Sequence, residues 1–225
     1  MSFILGEFFL GLFGLSFLCL LSSLKVKSFF LVDLGLKLII PLLLIYFFIE
    51  LNLENVFVVF FNSTMVYSSI VYYYKLFFIF LIIIVYFLLL NFFVLEEILL
   101  DELSILILLS SLGSLLVIMS NDFFYFFIVL ELQNIIFYVF AILKKYNTFS
   151  VEAGIKYYIF GSISSNFFLF GIVMLYGFFG TLNFFELSLL VDNFLFLDFS
   201  LVYLIFFSLF IFLGLFIKFG VVPFH

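Results

Sequence analysis

The chain has 225 residues, 68% of them hydrophobic and only 10% charged, with a mean hydropathy of +1.51. Soluble domains are about 45–50% apolar and about 25% charged, so a water-soluble fold of this composition would lack a polar surface. The net charge of −6 comes with no basic patch, which leaves nucleic-acid binding without support, and the single cysteine, Cys19, excludes an internal disulfide. What remains is an all-α, polytopic transmembrane helical bundle in a lipid bilayer.

About seven spans follow from apolar runs of roughly 20 residues. The first runs from about 3 to 24 and is closed by Lys25 and Lys27; the second, about 29 to 49, contains Asp33, Lys37 and Pro41. Residues 56–67 are β-branched and aromatic, broken at Asn62-Ser63, and read as a short surface hairpin. The third span is about 70 to 95. An acidic linker (Glu96, Glu97, Asp101, Glu102) leads to the fourth, about 103 to 119. Asn121-Asp122 caps the fifth, which ends before Lys144-Lys145, and Ser150 is the expected N-cap of the sixth, about 151 to 178. A polar loop over 180–193 precedes the seventh, about 198 to the last residue. Lysines near the span ends put the first-to-second and fifth-to-sixth loops on the matrix or cytoplasmic side by the positive-inside rule.

A charge at the bilayer centre costs about 2.5–3.5 kcal/mol even on the lenient insertion scale. Glu131 lies nine residues after Asp122, roughly 13 Å into its helix at about 1.5 Å per residue. Asn134 at i+3 and Tyr138 at i+7 share its face. Either the carboxylate is a structural partner of a neighbouring helix or it transfers protons or ions. Lys218 lies deep in the seventh span, followed by Pro223, whose missing N–H and clash with the Phe219 carbonyl break the helix. A broken helix beside an intramembrane charge is a usual design of ion sites, and a lysine snorkelling to the interface is the alternative. Lys156, four residues after Glu152, fits a structural i,i+4 pair and a proton path equally well. His225, two turns beyond Lys218, carries little information by itself. Gly161, Ser162, Ser164, Ser165 and Gly171 thin the sixth helix for close packing. No P-loop, dinucleotide glycine pattern or metal-ligand cluster is present, and one Cys and one His cannot hold an iron–sulfur cluster or a bis-His haem.

Phe is very frequent (43 residues), Trp is absent, and all 8 basic residues are Lys. These are the marks of A/T-rich codons, as in an organelle genome. The N-terminus is a full-length hydrophobic helix in place of an Arg- and Ser-rich import signal, so synthesis within the organelle is expected.

From Asn121 onward the chain resembles subunit 2 of NADH:ubiquinone oxidoreductase, respiratory complex I. The matching stretches are NDFF at 121–124, ELQNIIFYVFAI at 131–142, VEAGIKYYIFGSISSNFFLFG at 151–171, GTLNFFEL at 180–187 and LGLFIKFGVVPFH at 213–225. That family is similar to the membrane subunits of multisubunit Na⁺/H⁺ antiporters, built on two inverted five-helix repeats. The resemblance implies a domain of three N-terminal helices with the hairpin (1–95) and the first part of an antiporter-like repeat (96–225), cut within its discontinuous seventh helix. It implies proton-transfer roles for Glu131, Lys218, Lys156 and His225, with the helix break at Pro223; Glu131 would set how tightly Lys218 holds its proton. It further implies a proton-translocating, non-redox subunit with no cofactor or metal of its own. NADH, FMN, iron–sulfur clusters and ubiquinone would belong to partner subunits of the mitochondrial inner membrane. Family members are about twice as long, so a second polypeptide carrying the C-terminal half of subunit 2 is expected as a partner, beside the other complex I membrane subunits. A non-pumping structural subunit and a stand-alone cation/proton antiporter subunit are the alternatives.

Overall fold

The computed structural model describes residues 57–96, 100–143, 147–194 and 198–221, together with residues 44, 45 and 47. The first two expected spans, with Glu7, Cys19, Asp33 and Lys37, lie outside the described residues, as do Lys144-Lys145, Pro223 and His225. A hairpin of β1 (Val58–Phe60) and β2 (Met65–Tyr67) precedes six helices: α1 (Ser69–Glu96), α2 (Leu100–Met119), α3 (Phe123–Ala141), α4 (Thr148–Phe179), α5 (Phe184–Phe194) and α6 (Asp198–Lys218). Among the described residues, 69–88, 123–141 and 148–179 are each long and apolar enough to cross a bilayer, and 106–119 and 202–218 form shorter apolar helices.

The chain divides into two compact units. One comprises residues 1–58 and 67–119, the other 59–66 and 120–225. This division by contact falls one helix later than the 95/96 boundary drawn from the family's repeat.

In the first unit α1 and α2 pack together. The buried stripe of α1 is Tyr72, Lys75, Ile79, Ile82 and Tyr86, at the three-and-four spacing of one helix face. The opposite face exposes Tyr73, Phe77, Phe80, Ile84 and Phe87. A helix apolar all round has lipid or protein on every side, and sequence periodicity alone cannot orient it.

In the second unit α4 is the central element, in contact with both α3 and α6. Phe168, Ile172 and Leu175 of α4 form one core with Phe207 and Ile211 of α6, and Phe123, Phe126 and Phe127 of α3 pack against it. The helices approach closely because glycine stands where they cross. A methyl on Gly171 would meet the Ile211 side chain at 2.6 Å, and one on Gly214 would meet Phe168 Cβ at 2.7 Å.

Three boundaries differ from the sequence expectation. The sixth span starts at Thr148, because the Asn147 side chain accepts the Phe149 N–H and caps it. Ser150 lies inside the helix and donates its hydroxyl to the Ala141 carbonyl at 2.9 Å, tying the start of α4 to the end of α3. The expected loop over 180–193 contains α5, whose Leu187 is buried while Phe185 and Leu189 are exposed. Finally, the seventh helix ends at Lys218. The Val221 N–H donates to the Phe216 carbonyl and the Gly220 N–H to the Ile217 carbonyl, a Schellman motif that needs Gly220 at φ 61°. Gly220 therefore stops the helix three residues ahead of Pro223.

Candidate functional site

Asp122 begins α3 by accepting the Phe124 N–H at 2.8 Å, which fixes where the polar stripe of this helix falls. Glu131 follows two and a half turns on. Its Oε1 accepts from Lys218 Nζ at 3.1 Å and from Asn134 Nδ2 at 3.0 Å. The Lys218 side chain is 13% exposed and that of Glu131 28%. The stripe read from the sequence is thus a helix-to-helix ion pair supported by an amide one turn away.

Lys218 is the last residue of α6, where the negative end of the helix dipole favours a cation. Beneath it lies the ring of the fully buried Phe168, 6.0 Å from Nζ. The close approach of α4 and α6 at Gly214, one turn earlier, brings Phe168 under the ammonium.

Beyond the pair lies a cavity of about 250 Å³ lined by Asn134, Tyr138, Lys156, Tyr157, Gly161 and Lys218, among others. Lys156 faces this cavity and also pairs with Glu152 at 2.5 Å across one turn of α4, both side chains being more than half exposed. Lys156 thus makes the i,i+4 pair expected from the sequence and also lines the cavity. The charged groups run in the order Glu131–Lys218, cavity, Lys156–Glu152. His225 and Pro223, singled out from the sequence, lie outside the described residues.

Two features escape sequence reading. Lys75 in α1 is fully buried, with its ammonium 5.1 Å from the centre of the Tyr67 ring, a cation–π contact. In the sequence it is a lone lysine six residues into a helix, indistinguishable from one that snorkels. The second is a polar knot in the other unit. Asn121 Nδ2 donates to the Ser63 carbonyl at 2.9 Å and to Asn183 Oδ1 at 3.1 Å. Asn183 Nδ2 donates to Ser63 Oγ at 2.7 Å, and Asn183 Oδ1 also accepts the Phe185 N–H, capping α5. The Asn121 N–H donates to the Thr64 carbonyl at 2.8 Å. Phe61, Asn62 and Ser63 all have φ between 47° and 69°, a left-handed run costing roughly 1–2 kcal/mol per residue, which these bonds offset.

Residues 120–225 match the NADH:quinone oxidoreductase/Mrp antiporter transmembrane family. The chain is 44% identical over 97 residues to NADH-quinone oxidoreductase subunit N of Bartonella bacilliformis, covering 43% of this chain and 19% of that one. It is 42% identical over 100 residues to NADH-ubiquinone oxidoreductase chain 2 of Marchantia polymorpha, covering 44% and 20%. Its fold is similar to a chain of respiratory complex I from Thermus thermophilus, with TM-score 0.69 and 18% identity over 98% of this chain and 45% of that one. A chain of membrane-bound sulfane sulfur reductase, an archaeal respiratory membrane complex, gives TM-score 0.70 and 24% identity over 96% and 44%. The chain thus spans about half the length of these structures and aligns with about a fifth of the curated relatives. Over residues 120–225 the chain is thus similar to the NADH:quinone oxidoreductase/Mrp antiporter transmembrane family, and its fold is that of chains in these respiratory membrane complexes.

Proposed function

We propose that the chain is a membrane-arm subunit of respiratory complex I, taking part in proton translocation coupled to NADH oxidation by ubiquinone. The observation that carries this reading is the Glu131–Lys218 pair at 3.1 Å, set at the end of a helix and beside a cavity that Lys156, Tyr138 and Tyr157 also line, in a segment similar to that family. In this mechanism the carboxylate holds the ammonium on the α3 side. When Lys218 turns from Glu131 toward the cavity, its proton can pass to Lys156 or to a lysine of the remaining half of the subunit. NADH, FMN, the iron–sulfur clusters and ubiquinone belong to partner subunits, and this chain contributes proton transfer without redox chemistry.

The partners in this reading are the other membrane subunits of the complex. The location is the mitochondrial inner membrane with the gene in the organelle, supported by the A/T-rich composition and the similarity to the Marchantia chain. A cation/proton antiporter subunit is the second reading, favoured by the Mrp members of the family. Copurification with flavin and iron–sulfur subunits selects between the two. The charges of the pair argue against a purely structural subunit, because burying them costs energy that a non-pumping helix packing does not require.

The decisive experiment is Glu131→Gln in the assembled complex, with NADH-driven acidification followed in sealed membrane vesicles. Proton translocation falls while NADH-to-quinone electron transfer persists. Normal translocation in an assembled Glu131→Gln complex would refute the reading.

A further inference from the structure

Four groups that can donate a proton line the cavity between the two charged pairs: the ammonium groups of Lys218 and Lys156 and the hydroxyls of Tyr138 and Tyr157. Tyr138 differs from Tyr157 in one respect. It stands on α3 seven residues after Glu131 and four after Asn134, on the face that already holds Lys218. Its ring is held edge-on by Tyr157, with centroids 5.0 Å apart, and by Tyr158, at 5.5 Å. Its hydroxyl rests over Gly161 of α4. A methyl there would overlap the hydroxyl oxygen and lie 2.7 Å from the ring carbon that bears it. The absent side chain at position 161 is what lets the phenol reach across, and the two flanking rings keep it there.

We propose that Tyr138 is a proton-relay residue that carries protons across the cavity between Lys218 and Lys156. This rests on the proton-translocating reading given above. A hydroxyl has one proton to give and lone pairs to accept another. In one step its O–H bond breaks toward the acceptor while its oxygen takes a proton from the donor. The bond broken is replaced by the bond formed, and Tyr138 starts and ends neutral. One proton leaves the lysine that is an ammonium, which becomes an amine, and one arrives at the other lysine, which is a neutral amine at that step and becomes the ammonium. The cavity, at about 250 Å³, has room for several waters at about 30 Å³ each on either side of the hydroxyl. A rigid phenol divides that distance into two shorter transfers and fixes the direction of the hydrogen bonds. Gly161 is then more than a packing glycine: it is the seat of the relay.

Tyr138→Phe in the assembled membrane complex keeps the ring, its stacking and its place over Gly161, and removes only the O–H. Proton translocation by sealed vesicles should slow roughly tenfold or more, the scale of losing a positioned proton-transfer group. Its solvent deuterium isotope effect should change, which a purely structural role would not cause. Gly161→Ala, which displaces the hydroxyl while retaining it, should slow translocation in the same direction. Glu131→Gln is measured beside them. A slow Glu131→Gln with a normal rate and isotope effect in Tyr138→Phe overturns the relay and leaves the function standing. Normal translocation in both overturns the function as well. Loss of assembly in Tyr138→Phe also overturns the relay, since the hydroxyl would then be holding the fold.

Discussion

Gly214 of α6 lies against Ser164 of α4 so closely that a methyl group on the glycine would come within 2.8 Å of the serine's carbonyl oxygen. The same methyl would meet the Phe168 backbone nitrogen at 2.9 Å, so the obstacles include backbone, which cannot rotate away. Lys218 follows one turn later. The crossing therefore fixes how far the ammonium reaches toward Glu131.

Gly214→Ala should cost about 1–3 kcal/mol, the usual penalty of overfilling a packed contact. It should also lengthen the Glu131–Lys218 contact, and so reduce proton translocation more than electron transfer. Gly177→Ala is the control. Nothing lies within 4 Å of a Cβ at Gly177, and alanine is favoured over glycine in a helix interior by roughly 0.5–1 kcal/mol. Thermal unfolding of the assembled complex, followed on native gels, should rank Gly177→Ala at or above the parent and Gly214→Ala below it. The reverse order would show that α4 and α6 do not cross at this glycine.

The ion pair gives a second prediction, through non-additivity. Lys218→Met strands the Glu131 carboxylate, and Glu131→Gln leaves the Lys218 ammonium unpaired. Removing one member of a buried pair costs about 3–5 kcal/mol; the 28% exposure of Glu131 puts this pair toward the lower end. The double variant leaves neither charge stranded. It should assemble better than Lys218→Met alone, although it translocates no better. Strict additivity of the assembly defects would mean that the two charges do not meet in the membrane.

Much of this site was legible because its information is local. Glu131, Asn134 and Tyr138 follow helical spacing, and Asp122 is a cap beside the helix it starts. Lys218 was legible as a deep charge, but the break was sought in Pro223, whereas the Gly220 conformation already ends the helix. The Asn121–Asn183–Ser63 knot was not legible. Its members lie 58 to 120 residues apart, and asparagine in a membrane-protein loop is ordinary until its partners are known. Lys75 was hidden for a related reason: burial is decided by neighbouring helices, and α1 is apolar on every face. Helix α5 was missed because a short amphipathic stretch among polar residues has the composition of a loop.

The knot yields a third prediction. Asn183→Ala removes two donated hydrogen bonds to Ser63, the acceptor of the Asn121 amide and the cap of α5. At about 0.5–1.5 kcal/mol net for each of these four bonds, the loss is on the order of 2–6 kcal/mol, concentrated at this end of the unit. The left-handed turn at 61–63 should relax first. Hydrogen exchange at the Thr64 and Asn121 amides, which donate to the Phe61 and Thr64 carbonyls, should accelerate at least tenfold while the α4 interior stays protected. Unchanged exchange at both amides would show that the turn is held by something else.

The last prediction concerns which way the second unit faces. Helices α3 and α4 run antiparallel. The hydroxyl of Ser150, in the first turn of α4, bonds the Ala141 carbonyl at the end of α3, and the Phe123 N–H at the start of α3 donates to the Leu182 carbonyl just after α4. The 142–147 connection and the Asn121–Asn183–Ser63 knot therefore lie at opposite ends of this helix pair. In the sequence Lys144 and Lys145 fall between the end of α3 and the start of α4, and by the positive-inside rule this end is expected on the matrix or cytoplasmic side. The knot and α5 then face the intermembrane or outer side. Single cysteines introduced at Asn147 and at Ser188, with Cys19 replaced by Ser, should react with a membrane-impermeant maleimide from opposite sides of the membrane. Asn147→Cys should label in inverted vesicles and Ser188→Cys in intact ones. Labelling of both positions from one side would contradict the antiparallel arrangement of α3 and α4 across the bilayer. Opposite-sided labelling in the reverse sense would keep that arrangement and overturn the assignment made from the lysines.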